Sequence, residues 1–169
     1  MKKINVGIFF GGCSPEYSVS LSSASGVILN LDREKYEPVL IGISQKGEWF
    51  HYAGPVDRLL DDSWQNPADC TPAVLSPNRG ENCLLLLGKE GVSRVPLDIA
   101  FPVLHGGNGE DGTLQGLLEL SGIPIAGCGT LSSALGMDKD RAHRLVSLEG
   151  VRVPMHLVMD PDTTAEEME

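Results

Sequence analysis

The chain has 169 residues, a hydrophobic fraction of 41% and a net charge of −10 at pH 7. That is enough apolar material for one domain, or for one domain and the start of another. The acidic balance and the scatter of the 13 basic residues exclude a nucleic-acid partner, which needs clustered Lys and Arg against phosphate.

At the start, Lys2, Lys3, an apolar stretch and Gly11-Gly12-Cys13 superficially resemble a lipoprotein signal. The apolar run at 4–10 is short for a signal core and contains Asn5. A buried strand entering a glycine turn explains it better. A helix follows, because Tyr17, Leu21, Ala24, Ile28 and Leu31 fall on one stripe. Residues 36–44 (YEPVLIGIS) read as a second strand, which makes a strand–helix–strand unit with a right-handed crossover.

From 45 to 82 the pattern gives no order: Trp49, Trp64 and several prolines break up short strand-like pieces such as 73–75. Residues 83–87 and 92–95 predict a hairpin around 88–91. Residues 97–104 (LDIAFPVL) read as a buried strand ending at His105. Leu114, Leu117 and Leu118 mark a helix, and 123–126 a short strand.

Beyond Leu131 the texture changes. Asp138 can cap a helix running to about Glu149, with Ala142, Leu145 and Val146 inside and Gly150 as its stop. Residues 153–159 would form one more strand, and the acidic 160–169 has nothing left to pack against. No segment is long enough to span a membrane, so no membrane partner is expected. Four cysteines lie too far apart for zinc ligand spacing and are too few for a disulfide framework; they read as reduced thiols in a cytoplasmic protein. Alternating strands and helices predict an α/β fold with a doubly wound, mostly parallel sheet.

In such sheets ligands sit beyond the C-terminal strand ends, where both glycine loops fall. The first loop lacks G-x-G-x-x-G, so a dinucleotide site is set aside. Glu16 lies in the first helical turn, where a carboxylate favours the dipole. At about 100° per residue it also points away from the apolar stripe beside Val19, where it can hold a substrate ammonium. Spacing leaves both readings open. The second loop carries four glycines in 105–112, which frees the backbone to turn or approach a ligand. Asp111 and Glu110 read first as helix-start groups. His105, at a strand end, favours a functional role.

These stretches, GGCSPEYSVSLSSA at 11–24 and HGGNGEDGTLQG at 105–116, together with SSALGMDK at 132–139, resemble the D-alanine–D-alanine ligase family of the ATP-grasp group. The resemblance covers about residues 3–159. It implies a Rossmann-like pre-ATP-grasp domain at 1–132, with 133–169 beginning the ATP-grasp domain. Members phosphorylate the carboxylate of one D-alanine with ATP, and the amine of a second D-amino acid then displaces phosphate, giving the dipeptide terminus of cell-wall precursors. By this resemblance Glu16 holds the first D-alanine's ammonium, Val19 lies beside its methyl group, His105 lines the same site and Lys139 reaches the nucleotide. A homodimer is expected.

The family's Mg2+ carboxylates, glycine-rich lid, adenine pocket and charge-stabilising arginine belong to later regions, and phosphoryl transfer depends on such groups. The chain alone is therefore expected to be inactive. Val19-Ser20-Leu21-Ser22 replaces the V-S-x-K of lactate-using resistance ligases. Cys13-Ser14, Ile43-Ser44, Gly47-Glu48-Trp49 and 131–134 look closest to the branch joining D-alanine to D-serine, with ordinary D-alanine–D-alanine synthesis at least as favoured. A non-catalytic binding or dimerisation module, and the equivalent domain of another ATP-grasp ligase, are the rival readings.

Overall fold

The structure, a computed structural model, describes residues 2–159; the acidic 160–169 lies outside the described residues. Its strands are β1 (Ile4–Gly11), β2 (Tyr36–Ile43), β3 (Trp49–Tyr52), β4 (Cys70–Leu75), β5 (Cys83–Gly88), β6 (Gly91–Pro96) and β7 (Ile99–Pro102). The helices are α1 (Tyr17–Asn30), α2 (Asp57–Leu60), α3 (Thr113–Ser121), α4 (Thr130–Met137) and α5 (Lys139–Leu148). The strands form one sheet in the order β6-β5-β4-β3-β2-β1-β7.

The sheet is mixed. Pairing is parallel across β2-β1-β7, with Gly7 opposite Val39 on one side and Ala100 on the other. From β2 outward through β6 each neighbour is antiparallel, so the stretch whose order was illegible forms much of a meander. The parallel part is doubly wound as expected, since each face of β1 meets a different helix. Val6, Ile8 and Phe10 join Tyr17, Leu21, Ala24 and Ile28 of α1 in one core. Phe9 and Ile41 join Leu114 and Leu118 of α3 in the other. A strand buried on both faces reads as a continuous apolar run, which is why 4–10 was legible.

Four expectations need correction. The strand expected over 97–104 is confined to Ile99–Pro102. Just before it, the Leu97 N–H donates to Asn82 C=O (2.8 Å) and the Asp98 carboxylate accepts from Asn5 N–H (2.7 Å), so the chain there serves other partners. The strand expected at 123–126 is a single parallel bridge, Ala100 to Ile125. In α5, Asp138 does cap, accepting from Arg141 N–H (3.0 Å). But Leu145 and Val146 are exposed and Ala142 only half-buried, because α5 rests on α4 and not on the sheet. Residues 153–159 form no strand, for no ladder lies beside them.

The meander is pinned to the parallel part by Trp64. Its ring is fully buried and lies over Gly42, where any Cβ would run into it. Its Nε1–H donates to Tyr17 Oη (2.8 Å), Gln65 Nε2 donates to the same oxygen (3.2 Å), and Tyr17 donates to Asp62 Oδ1 (2.8 Å). Burial is the main reason the Tyr17 phenol is pushed up to about 12, with Asp62 adding to the rise.

Tyr17→Phe is expected to cost about 1–3 kcal/mol in urea unfolding, because Trp64 Nε1–H is left without its acceptor. The folded phenol titrates above its ordinary value of 10.0, so its contribution is present below pH 10 and lost as pH climbs toward about 12. The stability gap between wild type and Tyr17→Phe should therefore narrow across that window. A gap constant through it would mean that the phenol is not held neutral by the fold.

Candidate active site at the strand ends

Both glycine loops leave the C-terminal ends of parallel strands. Gly11 ends β1 at φ +87°, with Ile43 C=O so close that no side chain fits. Gly11 N–H instead donates to Ser20 Oγ (2.9 Å), and Ser20 donates to Val103 C=O. Ser20 is fully buried. One hydroxyl thus ties the exit of β1 to the exit of β7.

Glu16, Ser20 and Ser23 follow one another at helical steps of four and three, so α1 turns one polar stripe toward the 103–106 backbone. Glu16 is the N-cap residue of α1, one position ahead of the expected first turn. Its Oε2 and the Ser14 hydroxyl lie over Gly106 (φ +72°), each 2.6 Å from where a Cβ would stand. Ser23 Oγ lies 3.2 Å from His105 Nε2. The structure therefore brings Glu16 and His105 to adjacent residues of one loop, against one helix. Val19 sits one turn along α1, 51% exposed. Lys139 stands apart, exposed at the start of α5.

The second loop is held by its own side chains. Glu110 accepts from Gly106 N–H (2.7 Å) and Asp111 from Asn108 and Thr113 N–H (2.8 and 3.0 Å). Burial would raise the Asp111 carboxyl, but these N–H donors outweigh it and hold it below its usual range. The helix-start expectation holds only for Asp111, through Thr113 N–H; Gly112 is the N-cap of α3 and Glu110 braces the loop backbone instead. Gln115 of α3 donates to Gly109 C=O (2.8 Å).

Two cavities flank this loop. One, of about 310 Å³, is lined by Gly12, Cys13, Trp49, His105, Asn108 and Leu114 among others. The other, of about 430 Å³, lies toward α4, between Leu104, Glu110, Gln115, Cys128, Ser133 and Met137. His105 lines the first, whereas Glu16 and Val19 are exposed on α1 and line neither. Lys139 lines neither. Sequence reading missed Ser20, Ser23 and Gln115. The serines' only signal was their spacing from Glu16. Among the described residues, no group of three or more His, Cys, Asp or Glu could hold a metal ion, and no helix is long and apolar enough to cross a membrane.

Residues 5–128, which contain both loops, match the family described as D-ala D-ala ligase N-terminus. The chain belongs to that family. A D-alanine–D-alanine ligase of Caldicellulosiruptor bescii is 47% identical over 152 residues, covering 89% of this chain and 41% of the relative. The crystal structure of the VanG D-Ala:D-Ser ligase from Enterococcus faecalis superposes with a TM-score of 0.85 at 48% identity, covering 91% of this chain and 44% of that one. A D-alanine–D-alanine ligase from Bacillus anthracis complexed with ATP is 29% identical with a TM-score of 0.59, covering 98% and 43%. This ligase-family chain spans less than half the length of each.

Ser20→Ala is expected to leave Gly11 N–H and Val103 C=O buried without partners and to lower stability by about 1–3 kcal/mol in chemical denaturation. Gly106→Ala should disturb the loop more locally, through its positive φ and the collision with Glu16 and Ser14. Amide-exchange protection in 105–112 should fall while that of β1 and β2 holds. Equal loss everywhere would contradict a locally set loop.

Proposed function

We propose that this chain is the substrate-side domain of an ATP-dependent D-alanine–D-alanine ligase of peptidoglycan synthesis, and that the site between Glu16 and His105 takes the first D-alanine. The observation that carries the reading is the Glu16 carboxylate set over Gly106, one residue from the His105 ring. A zwitterionic amino acid needs an anion for its ammonium and a donor for its carboxylate, and these two side chains supply both. Val19, one turn away, offers an apolar contact for a methyl group.

ATP is the proposed cosubstrate, supported by the ATP complex of the Bacillus anthracis relative, and it would supply the phosphate that activates the first carboxylate. Lys139 is the proposed nucleotide contact. Magnesium finds no ligand set among the described residues. Residues 1–132 form the substrate-side unit in this reading, 133–169 begin the ATP-grasp unit, and the cytoplasmic ligase works as a homodimer. Synthesis of D-alanine–D-serine is the second reading, favoured by the VanG likeness; Ser22 at the position of the lactate-ligase lysine argues against a depsipeptide product.

In the complete ligase, Glu16→Gln should weaken first-site D-alanine binding by roughly 10- to 100-fold, since a hydrogen bond to a charged group is worth about 1.5–3 kcal/mol. Unchanged affinity would reduce Glu16 to a helix-start charge. The 169-residue chain by itself is expected to release no phosphate from ATP with magnesium and D-alanine; turnover would sink the assignment of a substrate-side domain.

A further inference from the structure

We propose that Ser23 is a positioning residue for His105: its hydroxyl donates to Nε2, so the neutral ring keeps its proton on Nδ1 and offers that N–H to an amino-acid carboxylate. This rests on reading His105 as a substrate-site residue. The imidazole is held from two sides. Two residues before it, Val103 C=O is fixed by the buried Ser20 hydroxyl; at the far end of the ring, Nε2 meets Ser23 Oγ at 3.2 Å. Both serines come from α1, three residues apart, so one rigid helix sets both the loop backbone and the ring orientation.

The direction of the Ser23 bond follows from where the neighbouring serine protons go. Ser20 gives its proton to Val103 C=O, and Ser25 bonds back to Leu21 C=O (2.9 Å), the usual outlet inside a helix. Among the described residues Ser23 has no carbonyl acceptor, and His105 Nε2 is its polar partner. A neutral imidazole has one donor and one acceptor nitrogen, and the hydrogen bond at one decides the state of the other. With Nε2 as acceptor, Nδ1 carries the hydrogen. Among the described residues Nδ1 has no bond of its own, and the ring lines the 310 Å³ cavity beside Gly12 and Asn108. A donor N–H there complements Glu16: one side chain grips the ammonium end of the substrate, the other its carboxylate end.

Long-range 1H–15N spectra of the imidazole rings in the 169-residue chain, at a pH where His105 is neutral, test the proposal directly. His105→Gln identifies the ring among the four histidines. Wild type is expected to show a protonated Nδ1 and a bare Nε2. Ser23→Ala should shift the ring toward Nε2–H, and Ser23→Thr should restore the wild-type pattern. Ala at this helical position removes only the hydroxyl and is favoured in helices, so the variant should fold. A protonated Nε2 in wild type, or a tautomer unchanged in Ser23→Ala, overturns the proposal. In the complete ligase, Ser23→Ala should raise the first-site KM for D-alanine by about 3- to 10-fold, as for one weakened neutral hydrogen bond, and Ser23→Thr should recover it. If His105→Ala raises that KM while Ser23→Ala leaves it unchanged, the positioning role fails and the site stands. If His105→Ala itself leaves KM unchanged, the substrate-site reading fails, whatever the spectra show.

Discussion

One buried hydroxyl governs how the two loops meet. Parallel β1 and β7 pair side by side up to Phe9 and Pro102. Beyond that point Gly11 turns away at positive φ, and the two backbones separate. Their freed groups sit in an apolar interior, where an unpaired amide or carbonyl is costly. The Ser20 side chain takes one from each strand. It reaches them only because Tyr17, Leu21, Ala24 and Ile28 seat α1 at that depth against the sheet. Glu16 and His105 inherit their places from this arrangement.

The second loop obeys the same economy with acidic groups. Glu110 and Asp111 spend their oxygens on N–H groups of Gly106, Asn108 and Thr113, which gives the loop its shape from within. Gln115 adds a strut from α3 to Gly109. A loop rich in glycine would otherwise be expensive to order, since each glycine gives up more backbone freedom than other residues. Two carboxylates that read in the sequence as helix-start groups thus act as internal braces.

The legible parts of the chain are those whose pattern has a single physical solution. The runs at 4–10 and 36–44 are apolar on both faces, and the stripe from Tyr17 to Ile28 has helical spacing, so their elements follow. Strand β3 was illegible and β4 legible only at 73–75, because both are short and only partly buried: of Trp49–Tyr52 only Tyr52 is buried, and Cys70–Leu75 carries a proline. Periodicity also overreached in α5 and at 153–159. It reports which side is apolar, not whether anything covers it; Leu145 and Val146 show that difference. At the site, Glu16 and His105 were found from their strand-end positions. The serines that join them were not, because SLSSAS looks like ordinary helix surface and the partners of Ser20 and Ser23 lie 83 and 82 residues away.

The placement of the two tryptophans gives the chain a pair of optical probes with separate duties. Trp64 is sealed among Phe10, Phe50 and Tyr52, with its indole N–H bonded to Tyr17, so its emission follows the integrity of the whole fold. Trp49 meets Phe9 edge-on at 5.7 Å and forms part of the wall beside His105. Its fluorescence therefore responds to what enters that space while Trp64 stays silent. Occupancy and unfolding can be read in the same cuvette without adding a label.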